Sequence, residues 1–199
     1  MSGKSGSPSR GFEQIRRFIL PLAILFVLAI VGGYFLTKSS NRLTNASAEP
    51  DPLADEREPA PALQLIDQKG KTRSLEEFKG KVVLIGFWAA DCSTCVMELP
   101  AYNEIAKRYR PDGLEVIAIN LDPKEVGEKS AKEIWDRGDY GFGSYLDPEK
   151  KVAGALKVET LPSAVVLDRS GRMAFHSYGA NDWQSPETAR LIEDLLLEE

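Results

Sequence analysis

The chain has few cysteine and histidine residues, the types that form disulfides and bind metals. Its 199 residues include two cysteines and one histidine, and the net charge at pH 7 is −5. Two cysteines are too few for a disulfide scaffold. The modest negative charge, without a basic face, argues against nucleic-acid binding. No internal repeat of solenoid length is present, which excludes a repeat architecture.

One long stretch without charge lies near the N-terminus. Residues 18–36, FILPLAILFVLAIVGGYFL, approach the roughly 20 residues that cross a hydrocarbon core. Positive charge outweighs negative charge before this stretch: Lys4, Arg10, Arg16 and Arg17 against Glu13. Residues 1–17 are therefore expected in the cytoplasm, residues 18–36 as a transmembrane anchor, and the rest outside.

A cleaved signal peptide is the alternative interpretation of this segment. Its apolar region would span about 7–15 residues, with a small-residue cleavage site close behind. Here the apolar run is longer, and the A-x-A candidate Ala46–Ala48 lies well past its end. We favour the uncleaved anchor.

The remaining chain divides into a linker and one domain. Residues 37–58 are polar and rich in Pro, Ser and acidic side chains, which predicts a flexible linker. Residues 59–199 alternate apolar strand-like runs with helical periodicity, and they predict an α/β sandwich with helices on both faces of a mixed sheet. The expected strands are 62–66, 81–88, 114–120, 144–146, 163–167 and 173–178. The expected helices are 95–109, 124–137 (with Val126, Ile134 and Trp135 as apolar positions), 149–156 and 186–197.

The stretch FWAADCSTC, residues 87–95, holds both cysteines. A pair at this spacing can be a redox centre, half of a metal site or a structural disulfide. Zinc normally needs four Cys or His ligands, and beyond the pair the chain offers only His176, which we interpret as structural. A structural disulfide across two residues closes almost no loop and stabilises little. Both alternatives stay open, but redox exchange is favoured.

The position of Cys92 supports redox chemistry. It follows an expected buried strand and begins an expected helix, at the strand edge where α/β folds place active sites. Unpaired N–H groups and the helix dipole favour a thiolate there. Cys95 comes one helical turn later and can close a disulfide, so Cys92 would attack and Cys95 would resolve.

From about Pro59 onward the sequence resembles the thioredoxin superfamily, specifically its membrane-anchored TlpA/ResA-type thiol–disulfide oxidoreductases. The matching segments are PALQLIDQKGKTRSLEEFKGKVVLIGFW, CSTC, VMELP, LEVIAINLD and VETLPSAVVLDRSGR. They cover nearly all of the domain in the family's order. The resemblance implies a thioredoxin-like fold and protein disulfide exchange through Cys92 and Cys95.

The resemblance also implies roles for other residues. Pro162 matches the cis-proline that faces the cysteine pair, and a cis bond there leaves the backbone of Leu161 free to pair with an extended substrate. Glu98 matches an acid that accepts or relays the proton of Cys95, although it could merely favour the helix dipole. Trp88 matches a tryptophan that packs beside the site, and a purely core role is the alternative.

Three departures from the family pattern affect the expected chemistry. Asp91 replaces a tryptophan before the first cysteine, Gly86 replaces the buried aspartate of thioredoxin, and Ser93-Thr94 lacks a proline. The Asp91 carboxylate opposes thiolate formation at Cys92 and removes an aromatic surface for substrates. We expect a slower, more selective enzyme than thioredoxin.

The resulting hypothesis is a membrane-tethered reductase of exported proteins at the bacterial inner membrane, with its redox domain on the periplasmic side. Family resemblance suggests cytochrome c maturation or copper-site assembly, with electrons from a membrane partner of the CcdA or DsbD kind. No cofactor, metal or nucleic acid is expected. The alternatives are a non-catalytic binding or metallochaperone domain and a peroxiredoxin, whose Pro and Thr ahead of a lone cysteine are absent from FWAADCSTC.

Overall fold

A computed structural model of the protein describes residues 56–198. Within them seven strands form one mixed sheet in the order β2-β1-β5-β4-β3-β6-β7. The strands are β1 (Gln64–Asp67), β2 (Thr72–Ser74), β3 (Val82–Trp88), β4 (Leu114–Asn120), β5 (Gly143–Leu146), β6 (Ser163–Leu167) and β7 (Met173–Tyr178). The helices are α1 (Ser93–Tyr109), α2 (Lys124–Gly138), α3 (Lys151–Ala155) and α4 (Pro186–Leu197), with short 3-10 turns at Leu75–Phe78 and Arg110–Asp112.

The centre of the sheet is buried on both faces. Strand β3 pairs in parallel with β4 and antiparallel with β6, and all of its residues are buried. Because side chains alternate along a strand, Leu84 and Trp88 face one core while Ile85 and Phe87 face the other. Helices α1, α2 and α4 cover the first face, and α3 with the first 3-10 turn covers the second. The predicted α/β sandwich is confirmed.

Two details of the helices differ from the expectation. In α2, Ile134 and Trp135 pack against the core, but Val126 is 52% exposed. The buried residues of α2 are instead Gly127 and Ala131. A Cβ atom at Gly127 would lie 2.5 Å from Oδ1 of Asn120, so this helix approaches the end of β4 too closely for a large side chain. The helix expected over 149–156 is shorter, since α3 spans only Lys151–Ala155.

Within residues 56–198 no helix is both long enough and apolar enough to cross a membrane. The expected cytoplasmic tail (1–17), the anchor (18–36) and most of the linker (37–58) lie outside the described residues. They therefore stay predictions.

Candidate active site

The two cysteines lie where β3 ends and α1 begins. Cys92 caps the N-terminus of α1, and its Sγ accepts a hydrogen bond from the N–H of Cys95 at 3.2 Å. The two form a disulfide with their Cα atoms 5.3 Å apart. Cys92 is half-buried, whereas Cys95 is 2% exposed. An incoming sulfur can therefore reach Cys92 but not Cys95, which agrees with the predicted attacking and resolving roles.

Asp91 precedes Cys92 on the surface. Its side chain is exposed and has no hydrogen bond or ion pair to any of residues 56–198. Its carboxylate is therefore hydrated and screened, which weakens but does not abolish its repulsion of a Cys92 thiolate. The N–H groups of the first turn of α1 act in the opposite sense, because they stabilise negative charge on the Sγ of Cys92.

Glu98 lies one turn after Cys95, and both of its carboxylate oxygens accept hydrogen bonds. Oε1 accepts from the backbone N–H of Asn181 at 2.9 Å, and Oε2 accepts from the phenol of Tyr102 at 3.1 Å. Residues three apart on a helix are neighbours, so this half-buried carboxylate lies on the side of α1 near Cys95. It does more than complement the helix dipole, since it binds α1 to the loop after β7.

The Leu161–Pro162 peptide bond at the start of β6 is cis, as the resemblance implied. The carbonyl of Pro162 accepts a hydrogen bond from the N–H of Gly179 at 2.9 Å. Gly179 has φ +89°, in the left-handed region that favours glycine. Leu161 is half-buried, and neither of its backbone groups has a hydrogen-bond partner among the described residues. That backbone is available to an extended segment of a substrate.

The loop at residues 179–181 joins the two parts of the site. Gly179 binds the carbonyl of Pro162, and two residues later Asn181 binds Glu98. Sequence reasoning did not identify this loop. Its contacts come from backbone N–H groups, which leave no signature in the residue types.

Asp122 is a second part of the site that sequence reasoning did not identify. It follows β4, is 7% exposed, and accepts a hydrogen bond from the N–H of Ala90 at 2.9 Å. It also accepts from the Asn120 amide at 2.8 Å and the Ser130 hydroxyl at 3.1 Å. Ala90 lies two residues before Cys92, so Asp122 fixes the loop that carries the attacking cysteine. An acid directly after a buried strand, at the edge where the cysteines lie, was the available signal.

Comparison with known proteins decides the family. The sequence profile of the AhpC/TSA family matches residues 57–176. The chain belongs to this thioredoxin-like family. The thiol-disulfide oxidoreductase ResA of Geobacillus kaustophilus is 31% identical over 162 residues, covering 81% of this chain and 87% of that protein. The ResA protein of Halalkalibacterium halodurans is 28% identical over 91% of this chain and 98% of that protein.

Solved structures show the same fold. A crystal structure from Chlorobium tepidum, described as a thiol:disulfide interchange protein DsbE, has a TM-score of 0.64 at 25% identity and covers 70% of this chain and 96% of that one. The thioredoxin domain of a Bacteroides vulgatus thiol-disulfide oxidoreductase has a TM-score of 0.58 at 26% identity, over 67% and 95% of the two chains. Together with the Cys92–Cys95 disulfide, these similarities confirm the predicted thioredoxin-like fold and identify a thiol–disulfide oxidoreductase.

Within this thioredoxin-like domain Trp88 has the core role. It is 1% exposed and stacks on Trp135, with ring centroids 5.7 Å apart. A side chain buried to this degree offers no surface to a substrate, so the predicted substrate contact does not apply to Trp88. It instead belongs to the same buried cluster as Cys95.

Tyr102 occupies the space beside Gly86, the position of the buried aspartate in thioredoxin. A Cβ atom at Gly86 would lie 2.5 Å from Cε2 and 3.0 Å from the phenol oxygen of Tyr102. The ring is 2% exposed. Burial, and then the negative charge of Glu98, raise the pKa of Tyr102 well above its ordinary value. The phenol therefore keeps its proton and remains a hydrogen-bond donor.

His176 lies on β7 and packs against Tyr178, with ring centroids 4.0 Å apart. Burial, followed by the positive charge of Lys157, lowers the pKa of His176. Across residues 56–198 no group of three or more His, Cys, Asp and Glu side chains lies close enough together to hold a metal ion.

Proposed function

We propose that the protein is a membrane-tethered reductase of disulfides in exported proteins. The observation that carries the proposal is the pairing of a half-buried Cys92 at a helix N-terminus with a shielded Cys95. This arrangement gives one sulfur that a substrate can reach and one that acts only after the first has reacted.

Reduction follows two exchange steps. In the reduced enzyme the Cys92 thiolate attacks one sulfur of the substrate disulfide, forms a mixed disulfide and releases the other substrate sulfur, which takes a proton from water. Cys95 then gives its proton to Glu98 and attacks Sγ of Cys92. This step restores the Cys92–Cys95 disulfide and releases the second substrate sulfur as a thiolate, which takes a proton from water, while Glu98 returns its proton to solvent. Two electrons pass from the enzyme to the substrate.

Substrate binding uses the surface around Cys92. The unpaired backbone groups of Leu161, next to the cis bond of Pro162, support pairing with an extended substrate segment. The exposed residues Asp91 and Ser93 flank Cys92, and only Asp91 carries a charge. The Asp91 carboxylate disfavours acidic substrate segments and contributes to the selectivity of the enzyme.

The cellular setting is proposed from the sequence. Residues 18–36 act as a single-pass anchor in the bacterial inner membrane, with residues 1–17 in the cytoplasm, a linker at 37–58 and the redox domain at 59–199 on the periplasmic side. Because that compartment is oxidising, reduction of Cys92–Cys95 requires a membrane electron donor of the CcdA or DsbD type. Cytochrome c maturation and metal-site assembly are the proposed pathways.

Covalent trapping in cells tests the reductase activity. Cys95→Ser leaves Cys92 able to attack but unable to be released, so we expect mixed disulfides between Cys92 and substrate proteins, identified by mass spectrometry. Cys92→Ser is the matched control, because its remaining thiol is shielded. If Cys95→Ser captures no more protein than Cys92→Ser and the wild-type protein does not reduce insulin, the reductase proposal is wrong and a binding domain is favoured.

Membrane fractionation tests the tether separately. The full chain is expected in the membrane fraction after alkaline carbonate washing, with the domain digested by protease added to spheroplasts. Recovery of the domain in the soluble periplasmic fraction would instead favour the cleaved signal.

A further inference from the structure

Glu98 is held at two points by donors that belong to different parts of the chain. The N–H of Asn181 binds Oε1 at 2.9 Å, and the phenol of Tyr102 binds Oε2 at 3.1 Å. A carboxylate held through both oxygens has a fixed direction. Tyr102 lies four residues after Glu98, so its phenol and the carboxylate meet on one face of α1.

The ring of Tyr102 has little freedom to move away from Glu98. It packs against Trp183 with centroids 5.3 Å apart and against Phe142 with centroids 6.5 Å apart. On its third side lies Gly86, where even a Cβ atom would come within 2.5 Å of the ring. The absence of a side chain at residue 86 is therefore what makes room for the phenol to reach Glu98.

The direction of the hydrogen bond follows from the protonation of Tyr102. Burial, and then the charge of Glu98, raise the pKa of the phenol, so it keeps its proton and donates to the carboxylate. A proton acceptor must lie within reach of the proton that it takes, so the fixed position of the Glu98 carboxylate matters for the second exchange step.

We propose that Tyr102 is a positioning residue for this step, holding the carboxylate of Glu98 in place beside Cys95. The inference rests on the proposed reductase function and deepens it. It also explains why residue 86 is a glycine, since a larger residue there would displace the phenol of Tyr102.

Tyr102→Phe tests the proposal because it removes only the hydroxyl and keeps the ring that fills the space beside Gly86. The measurement is the rate of mixed-disulfide resolution by the purified full-length chain, with Glu98 present and with Glu98→Gln. We expect Tyr102→Phe to lower the rate about tenfold when Glu98 is present, because the carboxylate is no longer held beside Cys95, and to leave it unchanged in Glu98→Gln. A purely structural role would lower the rate equally in both backgrounds.

Tyr109→Phe is the matched control. Tyr109 is also buried on α1, and its phenol donates to Glu193 at 2.8 Å, so it loses the same kind of hydrogen bond near the other end of the helix. Its rate of resolution should equal that of the wild-type protein. Glu98→Gln should slow resolution at least as much as Tyr102→Phe, and adding Tyr102→Phe to it should slow resolution no further.

The following outcomes distinguish failure of the positioning role from failure of the proposed reductase function. If Cys95→Ser still traps substrates but Tyr102→Phe resolves mixed disulfides as fast as Tyr109→Phe, the positioning role is wrong and the reductase function stands. If Tyr102→Phe slows resolution in Glu98→Gln as strongly as in the wild-type background, the phenol does not act through Glu98 and the proposal is also wrong. Failure of trapping itself overturns the reductase function.

Discussion

The two ends of the central sheet use buried carboxylates in different ways. At the cysteine end, Asp122 holds the loop before Cys92, and within residues 56–198 it has no ion pair. At the opposite end, beyond the last residue of β6, Asp168 holds the turn between β6 and β7. Its carboxylate also pairs with Arg57 at 3.2 Å and Arg172 at 3.1 Å.

The charged cluster at this second end consists of Arg57, Asp168, Arg172 and Glu198. Arg57 bridges Asp168 to Glu198, which it contacts at 2.7 Å, so the cluster joins the start and the end of the described domain. Asp91, Glu98 and Asp122 at the cysteine end have no ion pair with any described residue. Asp168 at the second end is paired with arginines, whereas at the cysteine end Glu98 and Asp122 are held by hydrogen bonds and Asp91 is exposed.

Asp168→Asn is the strongest test of this comparison. Removing the charge takes away the buried carboxylate that Arg57 and Arg172 both contact, so we expect the free energy of unfolding to fall by about 3 kcal/mol in urea denaturation. Disulfide exchange by the folded protein should be unchanged, because the cluster lies at the other end of the sheet.

Asp67 provides the matched control for this substitution. It begins a turn of the same pattern between β1 and β2, and it accepts from the N–H groups of Lys69 and Lys71 at 2.9 and 2.8 Å. It has no ion pair among the described residues. Asp67→Asn should cost less than about 1 kcal/mol. Equal losses from the two variants would show that the turn geometry, and not the ion pairs, stabilises the protein.

Asp122→Ala should have the second largest effect. It removes the acceptor of Ala90 N–H, of the Asn120 amide and of the Ser130 hydroxyl, and we expect a loss of about 2 kcal/mol in the free energy of unfolding. Unlike Asp168→Asn, it should also slow disulfide exchange, by about tenfold, because the loop before Cys92 is no longer fixed.

Ser130→Ala is the control for Asp122→Ala, since it removes one of these hydrogen bonds and leaves that of Ala90. Its exchange rate should match the wild-type rate. An Asp122→Ala protein that loses stability but exchanges disulfides at the normal rate would place Asp122 in the same structural role as Asp168.

The pH dependence of stability should also reflect the charged cluster. Burial alone would raise the pKa of Asp168, but hydrogen bonds from Ser170, Arg172 and Arg57 outweigh it and lower the pKa below the ordinary 3.8. A lowered pKa gives stability that is present above pH 3.8 and is lost as the pH falls through the folded-state value. Urea denaturation of the wild-type protein should show this acid loss, and Asp168→Asn should lack that part of it. Parallel curves for the two proteins would contradict this assignment.

The smallest expected effect is that of Asp91. Asp91→Asn removes the charge beside Cys92, so the thiolate should form at a lower pH, by less than about one unit because the carboxylate is exposed and screened. Alkylation rates of the reduced protein across pH measure this. Glu104→Gln, an exposed substitution farther along α1, is the control. If both substitutions leave the alkylation profile unchanged, Asp91 does not influence the thiol.

Asp91→Trp extends this test to substrate contact. It removes the same charge and adds the aromatic surface that the family pattern places before the first cysteine. We expect faster reduction of insulin than with Asp91→Asn. Equal rates for the two variants would limit the role of residue 91 to electrostatics.

Much of the fold could be predicted because buried elements leave a periodic pattern. Strands 114–120, 163–167 and 173–178 and helix 186–197 have the expected bounds, since their apolar residues are the ones that pack. Val126 was misplaced because α2 packs through Gly127 and Ala131, and a hydrophobicity pattern does not mark small residues as a contact face. The sequence could not decide whether Trp88 lies in the core or at the surface, because an aromatic side chain is suited to both.

By itself, the sequence determined the chemistry that neighbouring residues carry: a cysteine pair at a strand-to-helix junction, an acid one turn later and a Leu-Pro pair at a strand start. These features are local, and their spacing alone places them on known elements. Only the tertiary structure decided which groups hold them. Asp122 contacts Ala90 across 32 residues, Glu98 contacts Asn181 across 83, and Arg57 contacts Asp168 across 111. Such contacts depend on how the strands are ordered in the sheet and often involve backbone N–H groups, which every residue except proline carries.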